Sequence, residues 1–101
     1  MIYQLSVPAV VPGVQEIRVL EWHGAAGSSF EAGELIVELE THKAVVEARA
    51  SQAGVLREIR AAPGDWMAIG LVLALFSDTP DEPLPDDPAS ATALLTEFEV
   101  T

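Results

Sequence analysis

The sequence predicts an all-β domain, a β-sandwich or small barrel made of two similar halves. Three observations lead there. Its apolar stretches are short and frequent, residues with turn chemistry separate them, and no helical period survives in the first 76 residues. In addition, Gly27-x5-Gly33 ahead of Leu35-Ile36-Val37 recurs, 37 residues on, as Gly64-x5-Gly70 ahead of Leu71-Val72-Leu73. Such a repeat implies two half-domains related by an approximate two-fold axis, each giving strands to one core. Many short strands at this spacing exclude an alternating α/β arrangement.

In chain order, the expected strands are Leu5–Val7, Val14–Trp22, Leu35–Glu40, Ala44–Ala50, Val55–Arg60 and Leu71–Phe76. Between them lie Val11-Pro12-Gly13, Gly24–Ser29, Gln52-Ala53-Gly54 and Ala62-Pro63-Gly64-Asp65, all rich in turn residues. Pro8 and Pro12 confine the first segment to a sheet edge or to irregular structure. Gly27, Gly33, Gly54, Gly64 and Gly70 read as turn positions that need positive φ.

The hairpin from Leu35 to Ala50 is the best-defined element. Leu35, Val37 and Leu39 alternate with Ile36, Glu38 and Glu40, and on the return Ala44, Val46, Ala48 and Ala50 alternate with Val45, Glu47 and Arg49. A two-residue tip at His42-Lys43 pairs Thr41 with Ala44, Leu39 with Val46 and Val37 with Ala48, so that both apolar sets share one face. The same register sets Glu38 opposite Glu47, an unfavourable pair that Arg49 relieves diagonally. Periodicity alone thus puts Lys43 at the outermost point of a turn.

Lys43 is also the chain's single lysine, the other basic residues being Arg18, Arg49, Arg57 and Arg60. An amine can be acylated where a guanidinium cannot, so a lone lysine among arginines suggests a need for its chemistry. Arginine-rich codon usage would leave the same composition, and composition by itself does not choose.

The remaining composition is chiefly exclusionary. With no cysteine there is neither a disulfide framework nor a thiolate site. A formal net charge of −11 argues against nucleic acid. No apolar run is long enough for a membrane span, and the N-terminus lacks the pattern of a signal peptide, so a cytoplasmic location is expected. Residues 1–76 hold nine acidic and five basic side chains, whereas 77–101 hold seven acidic and none basic. We therefore expect a folded domain over 1–77 and an extended, acidic, proline-rich linker or tail over 78–101. Within that tail, Ala89–Val100 could form a short amphipathic piece around Leu94, Leu95 and Phe98 that docks on the domain.

Few of the other residues invite a catalytic reading. Gly27-x5-Gly33 lacks the Lys-Ser/Thr ending of a phosphate loop. Trp22 and Trp66 are expected to pack, His23 to be structural or exposed, and no spacing suggests a metal site. Glu38, Glu40 and Glu47 form either a solvated face or part of a recognition surface. No serine–histidine or carboxylate pair looks catalytic, and an enzyme is not expected.

The motif Glu40-Thr41-His42-Lys43-Ala44 resembles the attachment motif of lipoyl domains, usually Glu-Thr-Asp-Lys-Ala, in the acyltransferase component of 2-oxo acid dehydrogenase complexes. The likeness extends over roughly residues 5–77, through Val7-Pro8, Val19-Leu20-Glu21-Trp22-His23, Gly27-x5-Gly33, Gly54 and Gly64-Asp65-x4-Gly70. His42 departs from the usual Asp, and Ser28 stands where Asp is common. The resemblance implies that His42 lies on the surface that modifying enzymes and the decarboxylase read.

The resemblance implies a flattened barrel-sandwich of two roughly four-stranded sheets with quasi-two-fold symmetry. It implies lipoic acid joined through an amide to Lys43, with Glu40, Thr41, His42 and Ala44 forming the recognised surroundings. The implied partners are a lipoate–protein ligase or lipoyl transferase, a thiamine-dependent 2-oxo acid decarboxylase, the dihydrolipoamide acyltransferase core and a flavin-dependent dihydrolipoamide dehydrogenase. On this reading the domain is a swinging-arm carrier that relies on tethering for effective concentration. Three rivals stand beside it. A biotinyl carrier domain usually flanks its lysine with methionines, and this chain has only Met1 and Met67. The glycine-cleavage H protein is usually longer. Unmodified lipoyl-like modules usually sit between long helical segments.

Overall fold

The computed structural model describes residues 1–101. Its strands are β1 (Ile2–Ser6), β2 (Glu16–Trp22), β3 (Ser29–Phe30), β4 (Leu35–Glu40), β5 (Val45–Ala50), β6 (Gly54–Ile59), β7 (Trp66–Ala68), β8 (Val72–Ser77), β9 (Thr92–Ala93) and β10 (Thr96–Val100). A single 3-10 turn covers Pro88–Ser90. Two five-stranded sheets result, ordered β3-β6-β8-β1-β9 and β10-β5-β4-β2-β7. They face each other across one core that includes Leu5, Val19, Leu39, Val46, Leu56, Leu73 and Phe76, each at most 2% exposed. Phe30 meets Phe76 edge to face at 6.0 Å.

The 37-residue repeat is a real symmetry of the backbone. Gly27 N–H donates to the Leu56 carbonyl at 2.7 Å, and Gly64 N–H to that of Val19 at 2.7 Å. The Leu56 amide returns to Ser28 O as the Val19 amide returns to Asp65 O, and His23 N–H to Ile36 O matches Arg60 N–H to Leu73 O. Each half thus lends its Gly-rich turn to the other half's sheet. Setting β3, β6, β8 and β1 over β7, β2, β4 and β5 reproduces the strand order of both sheets. The hydrogen bond closing the Lys43 turn, Thr41 N–H to Ala44 O, has its counterpart in Asp78 N–H to Met1 O. The tip therefore corresponds to the place where the other half has its chain ends.

The β4–β5 register is the expected one: Val37↔Ala48, Glu38↔Glu47, Leu39↔Val46 and Glu40↔Val45. Strict alternation fails at one point. A bulge between Leu35 and Val37 turns both Ile36 and Val37 inward, each 0% exposed, so Ile36 lies in the core and not on the polar face.

The tail departs further from expectation. β9 pairs in parallel with β1, and β10 pairs antiparallel with β5 from Thr96↔Ala50 to Val100↔Val46. Each sheet thereby gains a fifth strand, and β1 is not at an edge. Between β8 and β9 the proline-rich stretch supplies acceptors in place of ladder bonds. Arg57 Nη1 donates to the Glu82 carbonyl at 2.6 Å, and Gln4 Nε2 to the carbonyls of Ala89 and Ala91 at 3.1 and 2.8 Å. Proline lacks only the donor, and side-chain donors of the domain meet its neighbours' carbonyls. Residues 92–100 thus belong to the sheets, in correction of the linker expected over 78–101.

Candidate functional site

The site is built from the hairpin tip upward. Thr41 is buried, and its hydroxyl oxygen accepts the backbone N–H groups of Lys43 at 3.0 Å and Ala44 at 2.9 Å while its O–H donates to Ala44 O at 3.2 Å. Together with Thr41 N–H to Ala44 O at 2.8 Å, these bonds close a tight turn in which no residue needs positive φ. His42 and Lys43 are left exposed at the apex, with Ala44 half-buried below them. Glu40, at the end of β4, pairs with Arg18 of β2 at 3.4 Å. The five residues of the motif are thus one structural unit, with one buried member that braces it.

The loop between β1 and β2 leans on this tip. Lys43 Nζ donates to the Pro12 carbonyl at 3.2 Å, and Gly13 adopts φ +79°. A Cβ at Gly13 would lie 3.2 Å from Nζ, so the position favours glycine on both backbone and contact grounds. Sequence reading took Val11-Pro12-Gly13 as a turn and missed its role against the lysine; the Pro-Gly pair signals a turn but not what it touches. The one other amine, at Met1, is held by Glu82 at 2.6 Å and Asp78 at 3.1 Å. Those two carboxylates raise its pKa above the ordinary 8.0, most of all through the hydrogen bond that the ammonium donates to Glu82. Lys43 has no carboxylate partner, and its side chain stands free except at Pro12.

Four of the five expected glycine turns have positive φ: Gly27 at +98°, Gly33 at +94°, Gly64 at +94° and Gly70 at +90°. Gly54 does not. It opens β6 opposite Phe30, where a Cβ would meet the Ser77 carbonyl at an ordinary 3.6 Å.

The outer face of the second sheet carries a row that the one-hairpin reading saw in part. Glu21, Glu38, Glu47 and Glu99 are in register across β2, β4, β5 and β10. His23 Nε2 lies 2.7 Å from Glu38 and 4.0 Å from Glu21, and Arg49 lies 3.6 Å from Glu47 and 3.8 Å from Glu99. The sequence placed Glu38 against Glu47; the other two members come from strands whose pairing no local pattern reveals.

A lysine fixed in position and open to solvent can accept a covalent group without disturbing the core. No side chain of the chain offers sulfur chemistry beyond the thioethers of Met1 and Met67, so redox or thioester work would have to come with the attached group. The family model described as "Biotin-requiring enzyme", for biotin and lipoyl attachment, matches residues 3–76. The succinyltransferase component of the 2-oxoglutarate dehydrogenase complex of Staphylococcus saprophyticus is 34% identical over 98 residues, covering 97% of this chain and 23% of that relative. The acetyltransferase component of the pyruvate dehydrogenase complex of Zymomonas mobilis is 29% identical over 98 residues, covering 96% of this chain and 22% of the relative. The chain therefore spans less than a quarter of the length of these curated relatives. Among solved structures, the lipoyl domain of the 2-oxoglutarate dehydrogenase complex of Azotobacter vinelandii superposes with a TM-score of 0.66 at 31% identity, covering 74% of this chain and 95% of that domain. With the paired half-domains and the braced lysine hairpin beside these likenesses, the chain belongs to the biotin/lipoyl attachment family and is a lipoyl-type carrier domain of the kind found in the acyltransferase components of 2-oxo acid dehydrogenase complexes.

Proposed function

We propose that Lys43 carries lipoic acid through an amide to Nζ, and that the domain shuttles acyl groups and reducing equivalents among the active sites of a 2-oxo acid dehydrogenase complex. The observation that carries this reading is the position of the single lysine, exposed at a turn whose buried Thr41 fixes it. In the modification, a proton leaves the Lys43 ammonium, the amine forms a bond to an activated lipoyl carboxyl carbon, and the activating group departs. The chain's own contribution is positional. Thr41 holds the turn, Pro12 offers its carbonyl to Nζ, and no neighbouring thiol or second lysine competes. When bound, lipoic acid supplies a dithiolane that accepts acyl groups and electrons. Glu40, His42 and Ala44 form the surroundings that a ligase or transferase would read. A thiamine-dependent decarboxylase, an acyltransferase core and a flavin-dependent dihydrolipoamide dehydrogenase are the partners this role requires.

Intact mass after incubation with lipoate–protein ligase, ATP and lipoic acid tests the reading, with biotin ligase and biotin in parallel. One lipoyl group gained by the wild type and none by Lys43→Arg is expected. The arginine variant retains a donor for Pro12 and lies on the surface, so its unfolding free energy should stay within about 0.5 kcal/mol of wild type. A biotinyl gain instead would transfer the protein to the carboxylase carriers, and no gain in either reaction would remove the carrier role from Lys43.

A further inference from the structure

We propose that an open groove beside the hairpin tip is a resting site for the dithiolane end of an arm attached to Lys43, with the Trp66 indole as its apolar wall. This inference rests on the lipoyl reading of Lys43 and deepens it.

The groove, about 620 Å³, is lined by Gly13, Gln15, Glu16, His42, Trp66 and Ala68. Two of those residues tie it to the tip. His42 precedes the lysine, and Gly13 is the residue over which Lys43 Nζ sits, 3.2 Å from where a Cβ would be. The amine is therefore on the rim. From the lipoyl carbonyl, five carbon–carbon bonds of about 1.5 Å each lead to the ring. An arm of that length starting on the rim can fold back into the groove or extend away from it.

Trp66 is half exposed, an unusual disposition for an indole. The symmetry of the fold shows that this strand position does not need an indole. Trp66 pairs with Arg18 as Ser29, its counterpart 37 residues earlier, pairs with Val55. In one half a serine satisfies the same strand position, and in the half beside the lysine it is an indole. The other tryptophan behaves differently: Trp22 is half-buried, and its Nε1–H donates to the Ala61 carbonyl at 2.8 Å. A cyclic disulfide is apolar and polarisable, and sulfur against an aromatic face is a favourable contact. The chain has no thiol that could exchange with it.

The test uses the ¹⁵N-labelled chain before and after lipoylation, with mass showing one lipoyl group. Expected is a shift of the Trp66 indole N–H resonance, with that of Trp22 unmoved. Reduction of the dithiolane by a phosphine should also run roughly two- to tenfold faster in Trp66→Ala than in wild type. Trp66→Leu, which keeps an apolar wall, should fall between them. A Trp66 resonance unmoved in fully lipoylated protein, or equal shifts of both indoles, would overturn the resting site while leaving the carrier role intact. A chain that gains no lipoyl mass would overturn the reading beneath both.

Discussion

Thr41 does more for the tip than its size suggests. It is 5% exposed, and its one oxygen serves the amides of Lys43 and Ala44 together. Thr41→Val keeps the shape and removes the acceptor, leaving two backbone donors at the turn to find other partners. A loss of about 1–3 kcal/mol is expected, visible as a lower urea midpoint at unchanged m-value. Thr41→Ser, which retains the oxygen, should recover most of that loss. The valine variant should also be modified more slowly at Lys43 than its remaining stability explains, because the amine would then ride on a looser turn. Equal modification rates in all three proteins would mean that the enzyme, and not the turn, orients the lysine.

At the scale of the elements, the carboxylate row across β2, β4, β5 and β10 sets four like charges side by side against one guanidinium and one imidazole. Directly opposed like charges in a sheet are destabilising. Glu99→Lys places a cation beside Glu47 and is expected to add a few tenths to about 1 kcal/mol at low ionic strength. Thermal unfolding in rising salt checks it: the wild type should gain stability as screening increases, and the variant should gain less. This row also marks how far sequence reading reaches. Glu38 against Glu47 was legible because both lie in one hairpin, where period two and a two-residue tip determine the register. Ile36 was not, since a bulge shifts the alternation by one residue without any glycine or proline to announce it. The place of the lysine at the hairpin tip was legible, whereas Pro12 and Gly13 reach Lys43 across 30 or more residues of chain, and no local pattern carries that contact. β10 had a signal that went unused. Thr96-Glu97-Phe98-Glu99-Val100 alternates as a strand should, but its acidic, proline-rich approach suggested a linker.

For the molecule as a whole, the tail is the part whose contribution is most open to measurement. Its near end meets the start of the chain, where Asp78 and Glu82 hold the Met1 ammonium. Because the folded pKa is raised above 8.0, that contact contributes in full below about pH 8 and is lost as pH climbs through the raised value. The group is fully exposed, so the expected readout is local: the Asp78 and Glu82 carboxyl resonances should follow the amine's titration, and N-terminal acetylation should abolish the effect.

The tail's far end closes an edge. Val45 N–H donates to Thr101 O at 3.1 Å and Thr101 N–H returns to Val45 O at 2.8 Å, two residues from Lys43. Along an antiparallel pair such bonds fall on alternate residues, so the amides of Val45, Glu47 and Arg49 face β10, whereas those of Val46 and Ala48 face β4. A variant lacking 92–101 should still fold, because Leu94 is the one core residue it loses and the family match ends at residue 76. Hydrogen exchange then separates the two roles open to the tail. If it is a cover over a self-sufficient domain, the amides of Val45, Glu47 and Arg49 lose protection in the shortened chain while those of Val46 and Ala48 keep theirs. If both sets lose protection together, the last strands are part of what holds the lysine hairpin folded.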